Sequence, residues 1–403
     1  MSVNTMTFEQ ISGVLTSIVK QATGQIVAAP TNTGDFVSVA QTALSTSRDA
    51  VMNAISNIIS QTVFSIRPYS AKFTGLEKDI ARWGAYMRKL SIADSDWADD
   101  AAYKWPVTFD ASQNPADGLN QMVDQWKIKK PNILQTNFFG QSVYGDHITI
   151  TEDQLETAFT GPDQLGSFIS LIMTNFSNRL EMSRDGIARG LIANIIGSIV
   201  DEDNPDRVVH LLTEYNAQTG LSLTATSVYE PDNYPAFMKW VYARIATISD
   251  MMTENSLKYQ TIINNMPILR HTPYQAQKVY LFAPALREIS ARVLADTYHE
   301  SFLRYSDVES VNFWQSIETP DAINVTPSYT STTGTVVTPG SAVSQGNIFG
   351  LIFDEDMAGY AILDRRMLST PVNASGLYRN IWLHAKQKVF MDNTEKAVVF
   401  LLD

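Results

Sequence analysis

The sequence predicts an α+β fold, and three features of the chain support this prediction. First, residues Asp163 to Val200 have the apolar periodicity of one long amphipathic helix. Second, a buried strand at Lys278 to Ala283 is followed directly by a helix that starts at Pro284. Third, the chain ends in a series of strands between Ile348 and Leu402. Long helices and runs of strands in separate parts of the chain are typical of an α+β protein.

The composition indicates a folded protein and excludes several classes of function. The chain has 403 residues, enough for two or three lobes of about 100–200 residues each. Its 30 basic and 42 acidic residues give a net charge of −12, and this balance opposes DNA reading, which needs clustered Lys and Arg. The sequence contains no cysteine, so disulfides, zinc-thiolate sites and thiol nucleophiles are excluded. We find no signal-peptide pattern and no apolar run of about eighteen residues, and we expect no membrane span.

Residues 1–63 are predicted to form an N-terminal arm with two helices. The first helix covers Thr7 to Lys20, where Thr7 and Gln10 have the spacing of a capping box. The segment Gly24 to Gly34 is predicted to be a linker, and the helical pattern resumes from Phe36 to Gln61. Two arrangements are open: the linker hinges the arm to the body, or both helices pack on the core.

Residues 64–151 are predicted to form an extended region with an acidic insertion. Between Ser91 and Trp126 the chain has seven Asp and a single Lys, and we expect the Trp side chains of this segment to be buried in subunit contacts rather than to stack on a ligand. The region closes with strands at Lys130 to Phe139 and Ser142 to Thr151; the second alternates apolar and polar residues, as a half-buried strand does.

Three aromatic side chains near a hairpin bend expected at Gly140 are predicted to contact other subunits. A two-stranded arm has little core of its own, and exposed aromatic side chains usually mark interfaces. The predicted contact residues are Phe138, Phe139 and Tyr144.

Residues 152–232 are predicted to be organised by the long helix. No proline interrupts it, although Gly186 and Gly190 each weaken it by about 1 kcal/mol and permit a bend. A continuous helix would be about 50 Å long, which favours a scaffold element of an assembling protein over part of a compact pocket. The predicted core residues of this helix are Ile172, Phe176, Leu180 and Leu191.

The last two regions are predicted at residues 233–352 and 353–403. A helix opens at Asn233 and further strands follow. Within the first of these regions, residues 320–346 carry one charged side chain, and more than half are Ser, Thr, Gly or Pro, so we predict a long flexible loop. The strands of 353–403 are expected to return to the region of the long helix.

No catalytic, cofactor-binding or metal site is predicted. The sequence has no phosphate-binding or dinucleotide-binding glycine loop, and no zinc-protease or serine-hydrolase motif. The acidic groups at 201–203 and 354–356 lack the spacing and glycine of a calcium loop, so solvated turns are expected. The group at 94–100 is predicted to be a solvated or lysine-paired face, with a cation site at an interface as the alternative. Five histidines occur singly and receive no role: His147, His210, His271, His299 and His384.

The order of these elements resembles the major capsid protein of tailed bacteriophages, which has the HK-97-type fold. Two regions carry a likeness to the phi29-like podovirus branch. The junction into the long helix reads ITITEDQLETAF at Ile148 to Phe159. The C-terminal part contains YAILD at Tyr360 to Asp364, GLY at Gly376 to Tyr378, Trp382-x-His384, and AVVF at Ala397 to Phe400. The segment from about Arg82 to Trp126 departs from the family pattern.

The resemblance implies a division into an N-terminal arm (1–63), an E-loop (64–151), a P-domain with a spine helix (152–232), an A-domain (233–352) and C-terminal strands (353–403). It implies a non-enzymatic major capsid protein without cofactors, which assembles as homo-hexamers and homo-pentamers into an icosahedral shell around double-stranded DNA. Scaffold, portal and minor capsid proteins would be its other partners, with no membrane. The protein would be made in the bacterial host cytoplasm and located in the virion.

Three alternatives remain open at this point. The same fold could form the shell of a nanocompartment that encloses a cargo enzyme. Another virion part, such as a portal or tail subunit, would form a ring. An enzyme would form a small oligomer. A small enzyme does not need a long helix, arms and a low-complexity loop, whereas a shell subunit must reach several neighbours.

Overall fold

The computed structural model describes residues 7–46, 50–51, 54–55, 73–78, 86–93, 132–139, 141–284, 308–337 and 342–403. The chain divides into two compact units, and each is built from three segments. The first unit contains Met1–Tyr86, Phe139–Ala193 and Ala358–Met391. The second contains Met87–Phe138, Asn194–Met357 and Asp392–Asp403.

Both helices and strands are present, as an α+β fold requires. The helices are α1 (Phe8–Thr23), α2 (Thr33–Thr46), α3 (Glu152–Ala158), α4 (Pro162–Glu202), α5 (Leu211–Thr219) and α6 (Tyr234–Thr253). The strands are β1 (Tyr86–Ala93), β2 (Asn132–Phe139), β3 (Gln141–Thr151), β4 (Val208–His210), β5 (Gln277–Phe282), β6 (Val308–Val311), β7 (Ile323–Val325), β8 (Tyr329–Thr330), β9 (Val336–Val337), β10 (Val343–Gln345), β11 (Ile348–Asp354), β12 (Ala358–Ser369), β13 (Tyr378–Met391) and β14 (Ala397–Leu401). No helix in the described ranges is both long enough and apolar enough to cross a bilayer.

Helix α4 is the predicted long helix, and it is one element of 41 residues. At 1.5 Å per residue it is about 60 Å long. Neither glycine breaks it, and a Cβ added at Gly186 or Gly190 would meet nothing within 4 Å. Across Gly186, Arg189 Nε donates to Asp185 Oδ2 at 2.7 Å, one helical turn away. This pair supports the helix where its intrinsic propensity is lowest.

The N-terminal helices belong to the core of the first unit. Thr7 Oγ1 accepts from the Gln10 backbone at 3.4 Å, and Gln10 Oε1 accepts from the Thr7 backbone at 2.9 Å, so the predicted capping box is confirmed. Ile11 packs in the same apolar cluster as Leu165 of α4. A Cβ on Gly166 would lie 2.9 Å from Ile11, so this glycine permits the close approach of the two helices. Of the two arrangements left open, the structure has both helices packed on the core.

A three-stranded sheet of order β12-β13-β3 completes the first unit. Strand β13 pairs antiparallel with β3 from Tyr378 opposite Thr151 to Lys388 opposite Gln141. Ile150 is buried in the core, whereas Thr149 is exposed and donates to Asn380 Oδ1 at 2.7 Å. The predicted half-buried strand is therefore confirmed.

The second unit contains a five-stranded sheet of order β4-β14-β11-β5-β6. The central strand β11 is antiparallel to both β14 and β5, and each edge strand is parallel to its neighbour. Helix α6 packs Phe237 and Ile245 into the cluster that holds Val279, Ile352 and Phe400 of the sheet. Because β11 and β14 are buried along their full length, they read in the sequence as continuous apolar runs.

The segment 320–346, which we predicted to be a long flexible loop, contains four short strands in its described part. Strand β7 pairs with β10, and β8 pairs with β9, so β-structure occupies both ends of the segment. Composition does not reveal these ladders, because each one joins the backbone of two separate stretches of the segment.

Some expectations concern residues outside the described ranges. These are the body of the helix expected after Pro284, the end of the second N-terminal helix beyond residue 55, and the acidic group at 94–100. Of the segment from Arg82 to Trp126, the structure describes residues 86–93.

Candidate assembly surfaces

The four residues predicted for the core of the long helix lie at different depths. Ile172 and Phe176 are buried in the cluster that α1 and α2 complete. Leu191 is also buried, whereas Leu180 is half-buried. Leu171 is 69% exposed, because the stripe of buried residues passes on the other side of the helix.

Strands β1 and β2 form a two-stranded ribbon whose residues alternate between two faces. Leu90, Ile92 and Ile133 are 55%, 62% and 52% exposed. Leu134, the next residue along β2, is buried against Ile263 in the second unit. We call the exposed side the outer ribbon face, and it consists of Arg88, Leu90, Ile92, Ile133, Gln135 and Asn137. One face of the ribbon thus packs on its own unit and the other presents apolar side chains to solvent.

The three predicted aromatic contact residues are not gathered on one hairpin. Phe138 is half-buried and lies on the same side of β2 as Leu134, while the side chain of Phe139 is outside the described residues. Tyr144 is exposed and sits opposite Ala385 in the three-stranded sheet. The expected hairpin is therefore wrong, since β2 pairs with β1 and β3 pairs with β13. Only residue 140 separates β2 from β3 in the sequence, whereas the commonest tight hairpin connections have two residues. Strand β13 instead offers β3 a ladder along its full length.

A groove with a volume of about 700 Å³ lies in the first unit between β3, α3 and the start of α4. Its apolar lining includes Ile148, Phe168 and the exposed Leu171. Asp153 and Asp163 are carboxylates of its lining, and none of its described lining residues is basic. The groove can therefore receive an apolar segment that carries positive charge.

The segment 320–346 contacts the C-terminal part of α4. Tyr329 donates its hydroxyl proton to Asp201 Oδ2 at 2.8 Å, and partial burial together with this hydrogen bond raises the pKa of Tyr329 to about 12. A Cβ on Gly197 would lie 2.6 Å from Val325, so a larger residue here would require Val325 or the helix to shift. Asn393 Nδ2 donates to the Thr330 carbonyl at 2.6 Å.

In each of the two acidic triplets that the structure describes, one carboxylate accepts hydrogen bonds from other parts of the fold. Glu202 accepts from Arg207 Nη1 at 2.7 Å and from Thr261 Oγ1 at 2.8 Å. Burial lowers the pKa of Arg207, against the attraction of Glu202. Asp354 is buried and accepts from Thr272 Oγ1 at 2.7 Å. The expectation of solvated turns is thus wrong for Glu202 and Asp354, and no group of three metal-binding side chains occurs among the residues described.

The histidines that the structure describes are separated from one another, except for two beside Trp382. His147 stacks on Trp382 with ring centroids 4.4 Å apart, and His384 lies 6.0 Å from the same indole. His210 Nδ1 is 2.7 Å from Asp403 Oδ1. His271 is exposed and His299 lies outside the described ranges. None of these contacts joins a histidine to a nucleophile.

A cluster of four charged side chains, which the sequence analysis missed, attaches the ribbon to the rest of the second unit. Lys89 Nζ lies 2.9 Å from Asp392 Oδ2 and also pairs with Glu395. Arg270 pairs with the same Glu395 and donates to Thr394 Oγ1 at 2.9 Å and to Ser91 Oγ at 3.2 Å. We call Lys89, Arg270, Asp392 and Glu395 the ionic cluster. In the sequence, the alternation of Lys89 and Ser91 with Leu90 and Ile92 is a signal of a strand with one polar and one apolar face. The sequence does not show that Lys89 pairs with carboxylates some 300 residues away.

The pKa values of the two carboxyls in the ionic cluster move in opposite directions. Burial would raise the pKa of Asp392, but Lys89 and two hydrogen bonds from Thr394 bring it below its ordinary value. Burial raises the pKa of Glu395, and attraction to Lys89 and Arg270 offsets only part of that rise. The pKa of Lys89 is raised, because attraction to both carboxylates exceeds the effect of its burial.

Comparisons with known proteins show a family through its sequence model and a fold through solved structures. Residues 15–401 match the family model of the Phi29-like phage major capsid protein. A chain in the capsid structure of Staphylococcus phage Andhra superposes with a TM-score of 0.52 and 11% identity, over 85% of this chain and 87% of that chain. A chain in the structure of the head fiber and inner core protein gp22 of native bacteriophage P68 gives the same TM-score, identity and coverage. No curated protein sequence matches significantly. At this identity the superpositions show the fold alone.

Proposed function

Because the chain belongs to the Phi29-like phage major capsid protein family, it is a structural protein of a phage capsid, and we propose that it assembles as homo-hexamers and homo-pentamers into an icosahedral shell. The shell would enclose double-stranded DNA without sequence-specific contacts, in keeping with the net charge of −12. We further propose that the protein has no catalytic activity and is made in the bacterial host cytoplasm. Scaffold, portal and minor capsid proteins are its proposed additional partners.

The observation that carries this proposal is the outer ribbon face. Three large apolar side chains, Leu90, Ile92 and Ile133, are each more than half exposed on one thin ribbon. A two-stranded ribbon has no core of its own to cover them. Burying apolar surface is favourable by about 25 cal/mol per Å², so a second copy of the chain that covers this face gains affinity there.

The domain division implied by the family is part of the proposal. Residues 64–151 would act as the E-loop, 152–232 as the P-domain around α4, and 233–352 as the A-domain. Phe138, Phe139 and Tyr144 would contribute to subunit contacts, and the exposure of Tyr144 supports this role. The acidic groove beside α3 and α4 is a second surface available to a neighbouring subunit.

Light scattering and electron microscopy of the purified full-length chain, with any co-encoded scaffold, test the proposal. We expect closed polyhedral particles that show no hydrolase activity. A single ring would indicate a portal or tail subunit, and a small oligomer with catalytic activity would indicate an enzyme. Particles from infected cells that contain a protein cargo and no DNA would favour the nanocompartment.

A pair of variants connects particle formation to the ribbon. The double variant Leu90→Ser with Ile92→Ser should remain folded but form far fewer particles, because it removes apolar area only from the outer face. Ile26→Ser is the control, since Ile26 is 83% exposed in the linker between α1 and α2. Normal particle counts for the ribbon variant would remove the support that this face provides.

A further inference from the structure

The inner face of the β1–β2 ribbon is attached to the rest of the second unit by the ionic cluster and by apolar contacts. Lys89 and Ser91 reach the ionic cluster from β1, and the apolar contribution of β2 includes Leu134 against Ile263 and Ile268. All other members of the cluster lie outside the ribbon: Arg270 precedes β5, and Asp392 and Glu395 occupy the turn between β13 and β14. Replacement of Lys89 would therefore weaken the attachment of the ribbon, while Arg270, Asp392 and Glu395 would stay in place on the segments that carry them.

The cluster is balanced and largely removed from water. Two cations face two carboxylates, and the side chains of Asp392 and Glu395 are 2% and 8% exposed. The turn that carries them is held independently, since the Asp392 backbone donates to the Met357 carbonyl at 2.6 Å. A buried charge that loses its partner is costly, whereas a complete set of pairs is tolerated. The carboxylates thus favour the state in which Lys89 is in place.

We propose that the ionic cluster is a latch that holds the β1–β2 ribbon on its own subunit and thereby presents the outer ribbon face to a neighbouring copy. The attachment of the ribbon by the ionic cluster lies within one subunit and does not require assembly. Its role in presenting the outer face rests on the proposed capsid function. Fixing the ribbon before contact removes an ordering cost from association, so the latch acts on assembly and not on the fold of the body.

Hydrogen–deuterium exchange of the unassembled full-length chain tests the latch directly. In Lys89→Met, peptides from 86–93 and 132–139 should exchange at least tenfold faster, which corresponds to about 1.4 kcal/mol. Peptides from β11 and β14 should be unchanged and report that the body is folded. Lys258→Met is the control, because Lys258 is 65% exposed and lies 3.9 Å from Asp206 in the same unit. Unchanged ribbon exchange in Lys89→Met would overturn the latch.

Charge reversal distinguishes a latch within one subunit from the same contact made between subunits. Lys89→Glu places a third carboxylate beside Asp392 and Glu395 and should release the ribbon and suppress particles. Adding Asp392→Lys in the same chain should restore both readouts, because the exchanged pair is again of opposite charge and Arg270 keeps its partner Glu395. Mixing the two single variants should restore neither. Restoration of particles by mixing would instead show that Lys89 reaches the cluster of a neighbour, and it would overturn the latch.

Particle counting separates the two parts of the inference. If Lys89→Met frees the ribbon but particles form at the normal rate, the latch has no role in presenting the outer face. If the unmodified chain forms no particles at all, the proposed function fails while the exchange result still decides whether the latch exists.

Discussion

Asn194 on α4 and Ser328 are joined by two hydrogen bonds that copy one rung of a β-ladder. Asn194 Oδ1 accepts from the Ser328 backbone nitrogen at 2.7 Å, and Asn194 Nδ2 donates to the Ser328 carbonyl at 3.0 Å. Both polar groups of one peptide position are satisfied by a single side chain. The segment between β7 and β8 is therefore held to the helix by a defined contact, in the part of the chain where composition alone predicted a flexible loop.

Asn194→Asp should loosen this segment without unfolding the subunit. The carboxylate keeps the acceptor but loses the donor, and its second oxygen then faces the Ser328 carbonyl. A hydrogen bond of this kind contributes about 0.5–1.5 kcal/mol net, so exchange of peptides from 323–337 should be severalfold faster. Asn175→Asp is the control on the exposed side of the same helix. Equal exchange in both variants would contradict the role of Asn194.

Gly197→Ala and Gly190→Ala should have opposite effects on stability. A Cβ at 197 would lie 2.6 Å from Val325, whereas a Cβ at 190 would meet nothing within 4 Å. Alanine gains up to about 1 kcal/mol of helix propensity at either site, but overpacking costs about 1–3 kcal/mol. Urea denaturation should show destabilisation for the first variant and stabilisation for the second. A stabilised Gly197→Ala would mean that Val325 moves aside at little cost.

Leu191→Asp should destabilise the subunit far more than Leu171→Asp. Both leucines are on α4, but Leu191 is 5% exposed and Leu171 is 69% exposed. Burial of an unpaired carboxylate should cost several kcal/mol, while the exposed substitution should stay within about 0.5 kcal/mol. Thermal unfolding followed by circular dichroism measures both. Similar melting temperatures for the two variants would show that the buried stripe of α4 does not support the fold.

Stability relative to Lys396→Met should rise as the pH increases from about 8 to 10.5. Burial lowers the pKa of Lys396 from 10.5 to about 8, so in this window the folded chain carries a neutral amine while the unfolded chain still binds the proton. Stability rises with pH wherever the unfolded state binds more protons. The amine can still donate to the Glu254 carbonyl, 2.7 Å away. Denaturation of both proteins at several pH values measures the difference, and a flat difference would contradict the lowered pKa.

The elements that could be predicted from the sequence are those whose pattern is local. The stripe of α4, the capping box at Thr7 and the strands β11 to β14 depend on residues a few positions apart. The order of these elements was also sufficient to indicate the capsid family. The outer ribbon face was visible in part, because Leu90 and Ile92 alternate with Lys89 and Ser91 in the sequence.

The sequence by itself determined the α+β class, the long helix and the absence of cysteine chemistry, because composition and periodicity act within one segment. The tertiary structure alone decided that β3 pairs with β13 rather than β2, that Asn194 holds Ser328, and that Lys89 meets Asp392 and Glu395. Each of these contacts joins residues more than a hundred positions apart. Many pairings over such distances satisfy the same hydrogen bonds and charges, and only the packing of the whole chain selects one of them.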